Sequence, residues 1–144
     1  MKNDYKKYEA AAEKIRQDNE VHLKGFEAWL TEKGLAKKTI KNHVTNVDFY
    51  INNFLVYYDA HDAAKGCSCQ VGTFLGDWFI RKTTWASCAE IKANAAGFKK
   101  FYAYMLEKGA VEQDEYDEFL VIIKEEMPEW LADMEAIESA EAKW

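Results

Sequence analysis

Lysines are the residues of this sequence whose spacing best fits a chemical task. Lys38, Lys41 and Thr45 recur at i, i+3 and i+7, a spacing that places them on one face of a helix. Lys92 and Lys99 are seven residues apart, about 10 Å along one side of a helix. Phosphates follow a DNA duplex at comparable spacing, so such rows can bind a DNA backbone. Ordinary solvated helix faces carry similar rows and remain the alternative interpretation.

Charge is distributed unevenly along the 144 residues, whose formal net charge is −6. Residues 1–32 hold six basic and seven acidic side chains, and residues 33–108 hold eleven basic and six acidic ones. Residues 109–144 hold two basic and twelve acidic side chains. The middle of the chain, at +5, therefore attracts anions and the end, at −10, repels them.

The acidic end begins with a dense group of carboxylates that could in principle carry out acid–base catalysis. It comprises Glu112, Asp114, Glu115, Asp117 and Glu118. Neither a nucleophile motif nor a glycine-rich phosphate loop accompanies it, and carboxylates suit the positive N-terminal end of a helix. We expect a solvated helix face and no enzyme, while binding to a basic partner, or to the basic middle of this chain, stays open.

Three cysteines, Cys67, Cys69 and Cys88, could be combined with His61 into a zinc site. Structural zinc sites usually use Cys-x2-4-Cys pairs, which Cys-x-Cys does not match, so we expect no metal and no cofactor. The charged N-terminus lacks the apolar stretch of a signal peptide, and no apolar run approaches the roughly 20 residues of a membrane span. We therefore expect reduced thiols in a cytoplasmic protein that does not contact membranes.

Helical periodicity covers nearly the whole chain. The clearest apolar stripes start at Ile40 and Ile91 and repeat at intervals of 4, 3, 4 and 3 residues. The single proline and seven glycines argue against a turn-rich β protein. We predict an all-α fold, a compact bundle of five to seven helices. The predicted helices span about residues 5–17, 19–33, 37–57, 71–82, 88–108, 112–126 and 128–138.

Several residues mark the predicted helix ends. Gly34 and Gly109 each follow Glu-Lys, and glycine accepts the left-handed conformation that often ends a helix. Ser87 and Glu90 form a Ser-x-x-Glu capping box at the start of a helix. Pro128 suits the first turn of a short last helix, where its missing N–H has no cost.

Gly97 lies in the middle of a predicted helix, beside Ala93, Ala95 and Ala96. Glycine at such a position costs about 1 kcal/mol relative to alanine, which indicates that another group approaches closely. A neighbouring helix is the favoured group, and a DNA backbone is the alternative.

Two stretches of the sequence resemble a known family. Residues 26–55 read Phe-Glu-Ala-Trp-Leu, then Lys-Gly-Leu-Ala-Lys-Lys-Thr-Ile-Lys-Asn-His, then an apolar helix ending in Phe-Leu. Residues 87–109 read as a Ser cap, Ile91, Phe98-Lys-Lys-Phe-Tyr and a closing Glu-Lys-Gly. Over roughly residues 20–110 the chain thus resembles the N-terminal core-binding (SAM-like) domain of tyrosine recombinases, the phage integrases.

The resemblance implies that two crossed helices, 37–57 and 88–108, lie against DNA as half of a clamp. The matching positions on the first helix are Lys37, Lys38, Thr39, Lys41, Asn42 and Thr45. Those on the second helix are Ser87, Lys92, Asn94 and Lys99, with Arg81 and Lys82 in the preceding turn.

Departures from the family concern catalysis and the strength of DNA binding. The family cleaves DNA with a second domain that uses two arginines, a His-x-x-Arg element and a tyrosine. Here the arginines are Arg16 and Arg81, and no histidine is followed by arginine at the third position. Ala36 replaces the usual capping serine, and Asp48 follows the Lys41–Thr45 face. Strand cleavage by this chain is therefore not expected.

Three regions are expected in the chain. They are an N-terminal helical extension (1–18), a core-binding-like domain (19–110) and acidic C-terminal helices packed on that domain (111–144). The expected function is that of a non-catalytic DNA-binding module. Its expected partner is double-stranded DNA, and a separate recombinase chain or another protein is the second candidate partner. The alternative is a helical protein–protein interaction adaptor that has lost DNA binding.

Overall fold

The structure, a computed structural model, describes residues 2–56, 62–67 and 70–142. Every regular element in these ranges is helical, which confirms the all-α prediction. Five helices, named α1 to α5 below, form the bundle, and a short 3₁₀ turn at Ala63–Gly66 precedes the third of them.

Helix α1 spans Lys2–Glu32 without a break. The predicted division into helices 5–17 and 19–33 is therefore wrong, and residue 18 does not end a helix. The cause is a tertiary contact at Asn19, which is buried and donates hydrogen bonds to the Ile51 carbonyl (3.2 Å) and Asn52 Oδ1 (2.8 Å). Gly34, with a φ of +83°, follows the helix as predicted.

Helix α2 spans Lys37–Asp48 and continues as a π-helical turn at Phe49–Phe54. The wider turn ends with a hydrogen bond from the Leu55 N–H to the Tyr50 carbonyl (3.1 Å). Tyr50, Ile51 and Phe54 in this turn are all buried.

Helix α3 combines Val71–Thr73, a π-helical turn at Phe74–Trp78 and Phe79–Lys82. Its bounds agree with the predicted helix 71–82.

Helix α4 spans Cys88–Glu107 and lies at the centre of the bundle, in contact with α2 and α5. The Ser87 side chain caps it by accepting a hydrogen bond from the Glu90 N–H (3.0 Å), as predicted. Gly109 follows its end with a φ of +82°, also as predicted.

Helix α5 spans Gln113–Ala142, and Pro128 lies inside it. The predicted separation into helices 112–126 and 128–138 is wrong. Proline removes one helical hydrogen bond, but side chains beyond it, Trp130 and Met134, are buried in the core and hold the helix in place. Trp130 packs so closely on α3 that a Cβ on Gly76 would lie 2.6 Å from the Trp130 Nε1 atom.

Aromatic rings from three helices form the centre of the core. The Tyr50 ring lies 4.6 Å from Phe98 and 4.9 Å from Phe74, measured between ring centroids. All three side chains are fully buried, and burial of such a ring contributes about 1.5–3 kcal/mol. This cluster fixes the position of α2 on α4.

Candidate nucleic-acid interface

Helices α2 and α4 touch at Gly97 and His43. A Cβ on Gly97 would lie 3.2 Å from His43 Nδ1 and 3.5 Å from the His43 Cα. The close approach predicted from Gly97 is therefore made by a neighbouring helix. Burial, and then the charge of Lys100, lower the pKa of His43, so Lys100 lies on the same side of the crossing.

The outward face of α2 carries Lys38, Asn42 and Thr45, all exposed. Their spacing of four and three residues continues to Phe49, four residues further on, which is half-buried. Thr39 is exposed beside this row. The face is polar, positive at its N-terminal end and aromatic at its C-terminal end.

A groove between α1 and α2 receives the other lysines of α2. Lys37, Lys41 and Thr45 line it, together with Glu27 of α1 and three apolar residues. Lys37 and Lys41 are exposed at its edge. The sequence therefore placed Lys41 correctly beside Thr45, but the carboxylate of Glu27 reduces the positive potential there.

Helix α4 presents Lys92, Lys99 and Lys100 along a second, shallow groove. Small side chains of α4 form the floor of this groove, and α1 and α5 contribute its walls. Lys100 was missed from the sequence, although the double lysine within the quoted Phe98-Lys-Lys-Phe-Tyr stretch could have indicated it. The remaining lining residues are Ala95, Ala96, Ala103, Trp29, Tyr116 and Met127.

Some positions that the resemblance assigned to DNA do not join this surface. Asn94 is only 2% exposed and donates a hydrogen bond to the Glu90 carbonyl (2.7 Å), so its expected role in DNA contact is wrong. Ser87 is occupied as the helix cap. Arg81 makes a two-pronged contact with Asp77 of its own helix at 2.7 and 3.0 Å, while Lys82 is exposed at the end of α3.

The lysines of the surface are not neutralised by carboxylates. Within the described ranges, ion pairs up to 4.0 Å join Lys14 with Asp18 and Arg81 with Asp77. None involves the five lysines that we name the basic surface, Lys38, Lys41, Lys92, Lys99 and Lys100. Their charges are available to a ligand.

Helix α5 packs along α4, and a carboxylate from its acidic end reaches the first turn of α4. The Cys88 N–H, in the first turn of α4, donates a hydrogen bond to Glu138 Oε1 (3.2 Å). Burial raises the pKa of the Cys88 thiol, and the charges of Glu138 and Glu135 raise it further. Carboxylates thus lie at the start of α4, one turn before Lys92, and Tyr116 and Met127 of α5 line the groove beside Lys92 and Lys99.

The cysteines have separate surroundings. Cys67 is buried with its sulfur 3.8 Å from the Glu115 carbonyl oxygen, and Cys88 lies 3.6 Å from the Leu131 carbonyl oxygen. Cys69 and His61, the other members of the zinc hypothesis, lie outside the described residues. In the part of the chain that the structure describes, no three His, Cys, Asp or Glu side chains form a group suited to a metal ion. No helix there is long and apolar enough to cross a membrane.

Comparison with known proteins adds no assignment, since no family model, curated protein or solved structure matches this chain. The resemblance to recombinase core-binding domains therefore rests on the residues quoted for it, and the function must be argued from the surface itself.

Proposed function

We propose that this chain is a non-catalytic DNA-binding module of the kind that forms the core-binding half of a tyrosine-recombinase clamp. The observation that carries the proposal is the basic surface, five exposed lysines without a carboxylate partner on two helices that touch at His43 and Gly97. Each helix carries its own row of charge on the side turned away from the contact, Lys38 and Lys41 on α2 and Lys92 and Lys99 on α4. The proposal requires one duplex to reach both rows.

The lysines supply binding that does not depend on DNA sequence. Each ammonium group that pairs with a phosphate releases a counterion, which is the main source of such affinity. The alanine floor between Lys92 and Lys99 has no long side chains, so a sugar–phosphate backbone can approach α4 closely. Thr39 and Asn42 add hydrogen-bond donors on α2.

Readout of base sequence has little support. Arginine is the side chain best suited to two-pronged contacts with guanine, and Arg81 is already bound to Asp77. The proposed module therefore positions DNA, and a separate recombinase chain supplies the chemistry.

Reversal of charge on α2 tests this function. Lys38→Glu combined with Lys41→Glu should abolish binding to random duplex DNA at low salt, because it replaces two attractive phosphate contacts by repulsive ones. Fluorescence anisotropy or a gel-shift titration measures the loss. Lys6→Glu with Lys7→Glu, which changes two exposed lysines at the start of α1 by the same charge, is the matched control. Unchanged duplex binding by the α2 variant would remove this site.

The groove between α1 and α2 favours the second candidate, a protein–protein adaptor. Its floor is formed by Leu35, Ile40 and Val44, and its volume is about 600 Å³. An apolar floor with lysines at the rim suits an acidic amphipathic helix. If the wild-type chain fails to bind DNA at low salt, this interpretation replaces the first.

A further inference from the structure

Trp85 is the most exposed tryptophan among the described residues. It is 53% exposed, whereas Trp78 and Trp130 are 9% and 4% exposed. It lies in the segment between α3 and α4. A large aromatic side chain in this position has an apolar surface that the fold leaves uncovered.

The Trp85 ring is held by two other rings. Its centroid lies 5.4 Å from that of Phe49, with the ring planes at 72°, and 6.5 Å from that of Phe79, at 74°. The ends of the segment are also anchored, because the Thr83 hydroxyl donates to the Phe79 carbonyl (2.8 Å) and Ser87 caps α4. The ring is thus positioned before any ligand arrives.

Trp85 packs on Phe49, at the C-terminal end of the α2 face that carries Lys38, Asn42 and Thr45. The N–H of Phe49 still bonds the carbonyls of Thr45 and Asn46, so Phe49 follows the helical register of the residues before it. It is four residues after Thr45 and eleven after Lys38, which places all three on one face. Trp85 therefore extends this face at the end opposite Lys38, which lies about 16 Å along the helix from Phe49.

An anchored aromatic ring that shares a polar face with a cation suits single-stranded nucleic acid. The cations follow the backbone, and the ring stacks on a base whose face is free. In a paired duplex the faces of the bases are covered by their neighbours in the stack, so the ring has no equivalent partner there.

We propose that Trp85 stacks on an unpaired base and that the interface prefers DNA with a single-stranded segment over fully paired DNA. This inference rests on the proposed DNA-binding function and names its substrate class. Loss of one base–aromatic stack typically weakens binding by about fivefold to a hundredfold.

The test compares short oligothymidine with a random duplex in anisotropy titrations of the full chain at low salt. Wild-type protein should bind oligothymidine more tightly. Trp85→Leu should lose about fivefold to a hundredfold on oligothymidine and less than about twofold on duplex, and Trp85→Tyr should retain most of the affinity. Urea denaturation verifies that the variants fold.

The outcomes distinguish a failure of Trp85 stacking from a failure of DNA binding. Unchanged oligothymidine binding by Trp85→Leu, or an equal loss on both DNA forms, overturns the stacking role. Lysine-dependent duplex binding would then still stand. If wild-type protein binds neither DNA, both proposals fail, and Trp85 is better explained as a contact for a protein partner.

Discussion

His43 is the residue on which the geometry of the interface depends. Its ring fills the space left by Gly97 on α4, and its pKa is lowered first by burial and then by Lys100. A larger residue at position 97 would meet the His43 ring and backbone, so this pair sets how closely α2 and α4 approach.

Gly97→Val tests the closeness of the crossing. The added methyl groups would meet the His43 side chain and the backbone of α2, so we expect the free energy of unfolding to fall by about 1–3 kcal/mol. Ala96→Val is the matched control, because it adds the same kind of side chain at the neighbouring exposed position. Urea denaturation measures both, and equal effects would show that α2 does not press on Gly97.

A pH titration tests the two histidines whose pKa the fold lowers. Burial lowers the pKa of His22, and the charge of Lys108 lowers it further, since the Lys108 Nζ lies 3.2 Å from His22 Nδ1. The pKa of His43 is lowered by burial and by Lys100. The unfolded chain takes up protons near pH 6.5 while the folded chain resists them. The free energy of unfolding should therefore fall as the pH decreases from about 7 through 6.5.

Replacing both histidines by glutamine should flatten this pH dependence, as followed by urea denaturation at each pH. Carboxylates titrate at lower pH than histidines, so they set the lowest pH at which the wild type and the double variant are compared. An unchanged slope in the double variant would show that the histidines are equally basic in the folded and unfolded chain.

At the scale of elements, the two helices of the interface start differently. Ala36 precedes α2 with an extended backbone, ψ 147°, and provides no side-chain cap. Ser87 precedes α4 with a similarly extended backbone and accepts the Glu90 N–H. The first turn of α2, which carries Lys37 and Lys38, is consequently the less stable of the two.

Ala36→Ser should raise the free energy of unfolding by about 0.5–2 kcal/mol, because a serine hydroxyl can accept one of the free N–H groups of the first turn. Ser87→Ala should lower it by a similar amount. Chemical denaturation of both variants measures the pair. If Ala36→Ser does not raise the free energy of unfolding, the free N–H groups at the start of α2 are already hydrogen-bonded to water.

The sequence predicted a helix end correctly where a residue at that end terminates or caps the helix by itself. Gly34, Gly109 and Ser87 act through their own conformations or hydrogen bonds, so the sequence contains the whole reason for each. The false breaks near residue 18 and at Pro128 have the opposite origin, since these helices bury their own side chains, Asn19 and Trp130, against segments distant in the sequence. Tertiary contacts of this kind cannot be read from local spacing.

The same distinction applies to the interface. Helical spacing correctly placed Lys38 and Thr45 on an exposed face, because periodicity alone determines that relation. The same spacing also puts Asn94 on the buried side with Ile91 and Phe98. It pairs Asp77 with Arg81 at i and i+4, so both signals were in the sequence and were missed. Trp85 had no sequence signal beyond its aromatic ring, because its position depends on Phe49 and Phe79.

The whole molecule combines a basic surface with an acidic helix. Helix α5 and its flanks carry most of the charge that brings the total to −6, and α5 meets α4 both at Cys88 and Glu138 and along the groove that holds Lys92 and Lys99. Salt at 0.1 M screens exposed charges beyond about 10 Å, so distant carboxylates weaken phosphate binding only modestly. Their repulsion of DNA instead favours one docking orientation.

The salt dependence of duplex binding tests the central claim most directly. Anisotropy titrations of the wild-type chain with random duplex DNA, repeated over a series of salt concentrations, give the slope of log affinity against log salt. Five lysines that each neutralise one phosphate predict a slope of about −4.5. A slope near zero, or no binding at the lowest salt, would contradict a DNA-binding role for the basic surface.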